Sequence, residues 1–214
     1  MDIYTPDLGL QSYIIGGVRK ARSKQANVFN PMNVIEFVSY GNENRLSRIK
    51  EAGFAVKFSQ LNFDVVRSSL AMFLIDLARN SIKETESNPV LYDFLKSYLI
   101  ALDTEDMDLK FLPHYFSIDL AKYLGFEPRA NYSPERPFFD LMEGAYIDNN
   151  MRHTQILSEM HSKHLFDLIE KREGMVMDRQ LRGIMLDKLL DYYKLHIEGF
   201  RELKSLGVLR SLLS

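Results

Sequence analysis

The chain has 214 residues, 46% of them hydrophobic, and carries 27 Lys/Arg against 29 Asp/Glu for a formal charge of −2. That length and apolar share support one large or two small packed domains and exclude global disorder, and the balanced charge excludes a histone-like chain that holds nucleic acid by bulk charge. Cysteine is absent, which excludes disulfides, thiolate catalysis and cysteine-based zinc sites. No run of about 18 apolar residues is present to span a membrane. The start MDIYTPDLG lacks a charged region followed by an apolar one, so no secretory signal is read and a cytoplasmic protein is expected.

The charge is unevenly placed. Residues 1–57 hold eight Lys/Arg and five Asp/Glu, a net of +3, whereas residues 58–214 hold nineteen and twenty-four, a net of −5. Such a division fits a basic part facing nucleic acid and an acidic part facing protein.

In chain order, Asp2–Thr5 reads as a short strand rich in β-favouring side chains. Pro6-Asp7-Leu8-Gly9 has turn chemistry, and Leu10–Val18 is a second strand, so the two are expected as a hairpin. Gly16–Lys24 (GGVRKARSK) then brings Arg19, Lys20, Arg22 and Lys24 into six positions, with no carboxylate between Asp7 and Glu36. Such a stretch attracts phosphate, although a charge run is also what a solvated surface loop looks like. Asn33–Tyr40 alternates, with Val34, Glu36 and Val38 on one side and Ile35, Phe37 and Ser39 on the other. Leu46–Lys50 and Phe54–Phe58 supply one more strand, with a bulge expected at Gly53. Residues 1–60 are thus expected as about four short antiparallel strands, an OB-like barrel lacking one strand. The first strand is read as absent, through truncation or a late start.

From residue 61 to 214 the period changes to helical. Asn62 or Asp64 can cap a first helix, expected to reach Lys83, whose stripe is Val66, Leu70, Phe73, Leu74 and Leu77. Asn88 caps a second with Pro89 at its first position, expected from Val90 to Leu102. A third, from Asp108, stops at Gly125. Gly125–Asn150, with three prolines and two glycines, reads as a long connector that packs onto the helices through Phe126, Phe138, Phe139, Leu141 and Tyr146. Further helices are expected over Thr154–Lys171, from the cap Asp178 to Gly199, and over Phe200–Leu213. The fold class is therefore α+β: an incomplete OB-like barrel followed by an all-α bundle of six helices.

No catalytic constellation is legible. GxSxG, a P-loop and a strand–GxGxxG–helix unit are all missing. His161 and His164 share a helix face and, with His153, would make a candidate metal site, but no carboxylate is placed to complete it, and packed or surface histidines explain them better. Among the strand aromatics, Phe37 reads as packing, while Tyr13 and Tyr40 are open to base stacking.

Four runs in order along the chain then resemble a known family: LGLQSYIIGGVRKARSK near the start, LAKYLGFEP at Leu120–Pro128, FFDLMEGAY from Phe138, and LKSLGVLRSLL near the end. They are similar to the RecO family of bacterial recombination mediators: to its second barrel strand and basic tract, to the helix end before its central insertion, to the segment that follows in Bacteroidetes-type members, and to its last helix. Members begin about two dozen residues earlier, with the strand that opens the barrel, and its absence bears on barrel closure and on full DNA affinity. Many members also carry a four-cysteine zinc site in the central insertion. Residues 125–150 have no cysteine, so zinc is not carried over and no cofactor is expected.

The resemblance implies a non-enzymatic mediator that binds single- and double-stranded DNA, anneals complementary strands and acts at the nucleoid. It implies pairing with RecR, contact with the acidic C-terminal tail of the single-stranded-DNA-binding protein, and indirect help to RecA loading. The expected DNA contacts are Arg19, Lys20, Arg22 and Lys24, with Arg45, Arg48 and Lys50 as a second basic row; a regular strand would put Arg48 and Lys50 on one face. Lys122 and Arg129 near Phe126 are the candidates for the acidic tail. Two other readings compete: a protein-interaction adaptor without DNA binding, and a metal enzyme built on His153, His161 and His164.

Overall fold

The computed structural model describes residues 1–16, 27–41, 46–83, 85–104, 108–148, 153–172 and 174–212. They form two compact units, Met1–Ile75 with Ile82–Met107 and Asp76–Ser81 with Asp108–Ser214. The architecture is mixed α+β, a small sheet followed in the chain by helices.

In the first unit, β1 (Asp2–Thr5) and β2 (Gly9–Ile15) pair antiparallel, with Asp2 opposite Ser12 and Ile3 opposite Gln11. β3 (Ile35–Tyr40) and β4 (Ser47–Phe54) also pair antiparallel. The sheet order is β1-β2-β4-β3, and β4 runs parallel to β2. This corrects the expectation of four antiparallel strands. β4 lies between β2 and β3, antiparallel to β3, which directly precedes it in the chain, and parallel to β2. Among the described residues β1 and β3 do not pair, so the sheet is open and no closed barrel forms.

The irregularity of β4 also differs from expectation. Gly53 pairs with Glu36 in register, and Ser47–Phe54 is one continuous strand. The register shifts instead where Val38 faces Glu51 and Ser39 faces Ile49, leaving Lys50 as the extra residue. The chain leaves the sheet after Phe54, where the N–H groups of Ala55 and Val56 both donate to the Val34 carbonyl, so Phe54–Phe58 does not continue as a strand. β2 spans Gly9–Ile15, and its expected end at Val18 lies outside the described residues. Its inner face carries Tyr13, only 5% exposed, whose ring meets Phe37 edge-on at 5.0 Å and 74°. Burying an aromatic ring of this kind stabilises by about 2 kcal/mol, and the edge-to-face contact adds about 1 kcal/mol.

The helices of this unit start where local chemistry dictates. Asp64 caps α1 (Val65–Ser81) by accepting from the Arg67 N–H at 2.9 Å. Asn88 caps α2 (Pro89–Thr104) through the Leu91 N–H at 3.0 Å, with proline at the first position. The segment leading into α1 is held by Asp103 on the last turn of α2. Its Oδ2 accepts from the Ser59 N–H (3.0 Å) and hydroxyl (3.1 Å), and its Oδ1 from the N–H groups of Gln60 and Leu61 (both 2.7 Å). A carboxylate at a helix C-terminus is disfavoured by the helix dipole, and these four donors compensate it.

The second unit contains α3 (Leu112–Tyr123), β5 (Phe138–Asp140), β6 (Ala145–Ile147), α4 (Glu159–Glu170), α5 (Arg179–His196) and α6 (Leu206–Leu212). α3 ends in a Schellman motif: Gly125 sits at φ +83, the Phe126 N–H reaches the Ala121 carbonyl and the Gly125 N–H that of Lys122. Asp178 caps α5 as expected, by accepting from the Leu181 N–H.

The helical part is not all-α, because the connector contains an antiparallel hairpin in which Phe139 faces Tyr146. The segment before α4 joins it: Leu157 N–H donates to the Phe139 carbonyl and Leu141 N–H to that of Gln155. This pairing delays α4, which begins beyond its cap Ser158 rather than at Thr154. α3 likewise begins at Leu112 rather than Asp108, and α6 at Leu206 rather than Phe200. Phe139, Leu141 and Tyr146 from the hairpin pack with Leu165 and Leu168 of α4 and with Met185, Leu189 and Tyr192 of α5 in one core.

Candidate nucleic-acid interface

Of the expected DNA contacts, Arg19, Lys20, Arg22, Lys24 and Arg45 lie outside the described residues. Arg48 and Lys50 are described, both exposed on β4. Lys50 is the bulged residue and pairs with Glu51 at 3.3 Å, both side chains well exposed. An ion pair of that kind is worth little and leaves the cation accessible. Arg48 has no ion-pair partner among the described residues.

Arg48 is central to the sheet's outer face. It stands directly opposite Ile14 on β2 and directly opposite Tyr40 on β3. Residues opposite each other in a ladder project from the same face, so Ile14, Arg48 and Tyr40 form one row across three strands. Ile14 is 39% and Tyr40 58% exposed. Of the aromatics considered for stacking, Tyr13 instead fills the core with Phe37, and burial raises its hydroxyl pKa. Two carboxylates flank the row on the same face: Asp2, which accepts the Ser12 hydroxyl at 2.6 Å, and Glu51, held by Lys50. Ile14 was missed in the sequence because its partner across the parallel pair is more than thirty residues away, and no local signal marks it.

In the second unit, Lys122 pairs with Glu127 at 3.8 Å. Phe126 lies half-buried in an aromatic cluster: its ring stacks on His196 (5.3 Å, 2° between planes) and meets Tyr193 edge-on at 5.1 Å. Its carbonyl accepts the Tyr192 hydroxyl at 2.7 Å, and burial raises the Tyr192 pKa. Arg129 is exposed, and its backbone N–H donates to the Gly144 carbonyl. Phe126 is thus committed largely to packing, while Lys122 and Arg129 remain exposed.

The histidines have other partners. His153 Nε2 lies 3.0 Å from Asp140 Oδ2, and His153 Nδ1 accepts from the Gln155 N–H. Asp140 Oδ1 in turn accepts from the N–H groups of Met142 and Glu143, so the pair braces the hairpin turn. His161 and His164 sit half-buried on α4. Burial, then the charges of Lys188 and His164, lowers the His161 pKa. Among the described residues no three His, Asp or Glu side chains gather where a metal could sit. A four-thiolate zinc site cannot form in a chain without cysteine, and hydrogen bonds organise the connector instead. No helix among the described residues is long and apolar enough to cross a membrane.

Comparison with known proteins agrees with this architecture. Residues 1–57 match the family described as Recombination protein O N terminal, and residues 62–134 that described as Recombination protein O C terminal. The chain is 32% identical to the DNA repair protein RecO of Flavobacterium johnsoniae, over 99% of this chain and 90% of the relative. It is 31% identical to that of Christiangramia forsetii, over 98% of this chain and 89% of the relative. With the RecO of Phocaeicola vulgatus the identity is 30%, over 100% of this chain and 91% of the relative. Matched by both family halves in order and by relatives along nearly its whole length, the chain belongs to the RecO family.

Proposed function

We propose that this chain is a non-enzymatic DNA-repair mediator that binds DNA by its backbone and anneals complementary strands. The observation that carries the reading is the full-length similarity to proteins named for DNA repair, joined to four cations in six positions of a stretch free of carboxylate. Annealing needs charge neutralisation without sequence readout, so that two strands approach and slide. Arg19, Lys20, Arg22 and Lys24 supply it, with Arg45, Arg48 and Lys50 as the second row. In the cell the protein acts at the nucleoid in the RecF-type pathway: it pairs with RecR, meets the acidic C-terminal tail of the single-stranded-DNA-binding protein, and helps RecA to load. The exposed cation of Arg129, with Lys122 beside the Phe126 cluster, is the place for that acidic tail.

The test is fluorescence anisotropy of labelled single-stranded DNA at two salt concentrations. The unmodified chain is compared with one in which Arg19, Lys20, Arg22 and Lys24 are all changed to Ala. Binding should weaken with salt. Loss of four phosphate contacts should lower the log–log salt slope by about 3. Absence of binding by the unmodified chain at low salt would reject the reading and leave an adaptor that recognises the acidic tail alone.

A further inference from the structure

We propose that the row Ile14–Arg48–Tyr40 is a base-stacking platform, through which the sheet grips single-stranded nucleic acid in preference to duplex. This rests on the nucleic-acid reading above and adds a contact with bases to the contacts with phosphates.

The register carries the inference. Arg48 on β4 stands opposite Ile14 on β2 and Tyr40 on β3, all three on one exposed face. With adjacent strands about 4.8 Å apart, the row spans about 10 Å, enough for one nucleotide with its phosphate. Tyr40, in the last pair of the β3–β4 ladder, is left 58% exposed and lies outside the core, whereas Tyr13 and Phe37 on the inner face pack on each other. The π-face of Tyr40 stacks on any base, Ile14 extends the apolar floor, and Arg48 between them can take a phosphate or lie flat against a second base.

Charge selects the occupant. The single cation in the row has no carboxylate partner among the described residues, while the flanking carboxylates of Asp2 and Glu51 are each held by a neighbour. These carboxylates bound the row along the strand direction, so a bound strand is steered across the sheet. A polyanion with accessible planar faces satisfies both halves of the row. Single-stranded nucleic acid is such a ligand, whereas a duplex hides its base faces in its own stack and offers only phosphates. A mediator with this platform therefore holds a strand before annealing and loosens its hold on the product.

The experiment compares affinities for an oligothymidylate, an abasic strand of the same length and a duplex. Tyr40→Ala should weaken binding of the oligothymidylate roughly five- to a hundredfold, with unchanged salt slope and unchanged affinity for the abasic strand and the duplex. Tyr40→Phe should behave as the unmodified chain. The chain has no tryptophan, so Tyr40→Trp places a single indole in the row, and its emission should be quenched by oligothymidylate and not by the abasic strand. If Tyr40→Ala binds oligothymidylate normally while the four-alanine variant of the basic tract does not, the platform is overturned and the DNA-binding reading stands. If the unmodified chain binds no DNA at low salt, both fall. If Tyr40→Ala leaves DNA affinity intact but lowers the sedimenting mass, the face is a contact between copies of the chain, and the platform is again overturned.

Discussion

Asp103 is the carboxylate on which the first unit most depends, and its replacement by Ala tests that directly. The side chain is 4% exposed and collects four hydrogen bonds from Ser59, Gln60 and Leu61, more than forty residues earlier in the chain. Leu61 is fully buried, so its N–H has no water to turn to once the carboxylate is gone, a loss of about 2 kcal/mol. Ser59 and Gln60 are exposed residues, and their donors recover part of their loss from solvent, leaving about 1 kcal/mol each. The sum, about 4 kcal/mol, is a large share of the stability of an ordinary domain. Asp103→Asn keeps the shape but offers one acceptor oxygen in place of two, and should cost about half as much. Urea unfolding should show the midpoint falling with little change in m-value, and hydrogen exchange at the Leu61 amide should accelerate. A loss below about 1 kcal/mol for Asp103→Ala would refute the argument, because it would mean the donors find other partners at no cost. A pH dependence follows. Burial alone would raise the Asp103 pKa, but the hydrogen bonds from Leu61, Ser59 and Gln60 prevail and lower it. The stabilisation is therefore complete above the usual carboxylate value and is lost as pH falls through the lower folded value. Asp103→Ala should lack that part of the acid slope.

Two further outcomes concern the second unit. His114, only 2% exposed, has its pKa lowered from 6.5 to about 4 by burial, against the hydrogen bond from its Nε2 to the Arg182 carbonyl. The unfolded chain takes up the proton near pH 6.5 and the folded chain only near 4, so stability should fall by about 3 kcal/mol as pH drops through that window and level off below it. Denaturant midpoints measured from pH 7 to 4 should show the fall, and His114→Gln should remove most of it; an unchanged profile would refute the assignment. Gly144, at φ +63, turns the hairpin with its α-carbon against Tyr192, and an added Cβ would stand 2.5 Å from the Tyr192 hydroxyl oxygen. Gly144→Ala combines left-handed strain with displacement of the Tyr192–Phe126 hydrogen bond, and thermal unfolding should report a loss of about 2–3 kcal/mol.

Local chemistry determined much of this protein by itself. Asp64, Asn88 and Asp178 cap helices, and Gly125 ends one, because each acts on backbone groups within a few residues. The β1–β2 hairpin is legible for the same reason: a turn of proline, aspartate and glycine joins two short β-favouring runs. The basic tract is visible as charge, since charge needs no partner to be counted. Pairings between distant segments were decided only by the tertiary structure. The parallel run of β4 beside β2 and the clasp of Asp103 on Ser59–Leu61 join positions whose local sequence is compatible with several partners. The same holds for the candidate site. Arg48 and Tyr40 could each be named from residue type, but that Arg48 stands between Ile14 and Tyr40 on the exposed face is a matter of strand register, and register is set by which hydrophobic face the sheet buries, Tyr13 and Ile49 inward, rather than by any residue in the row.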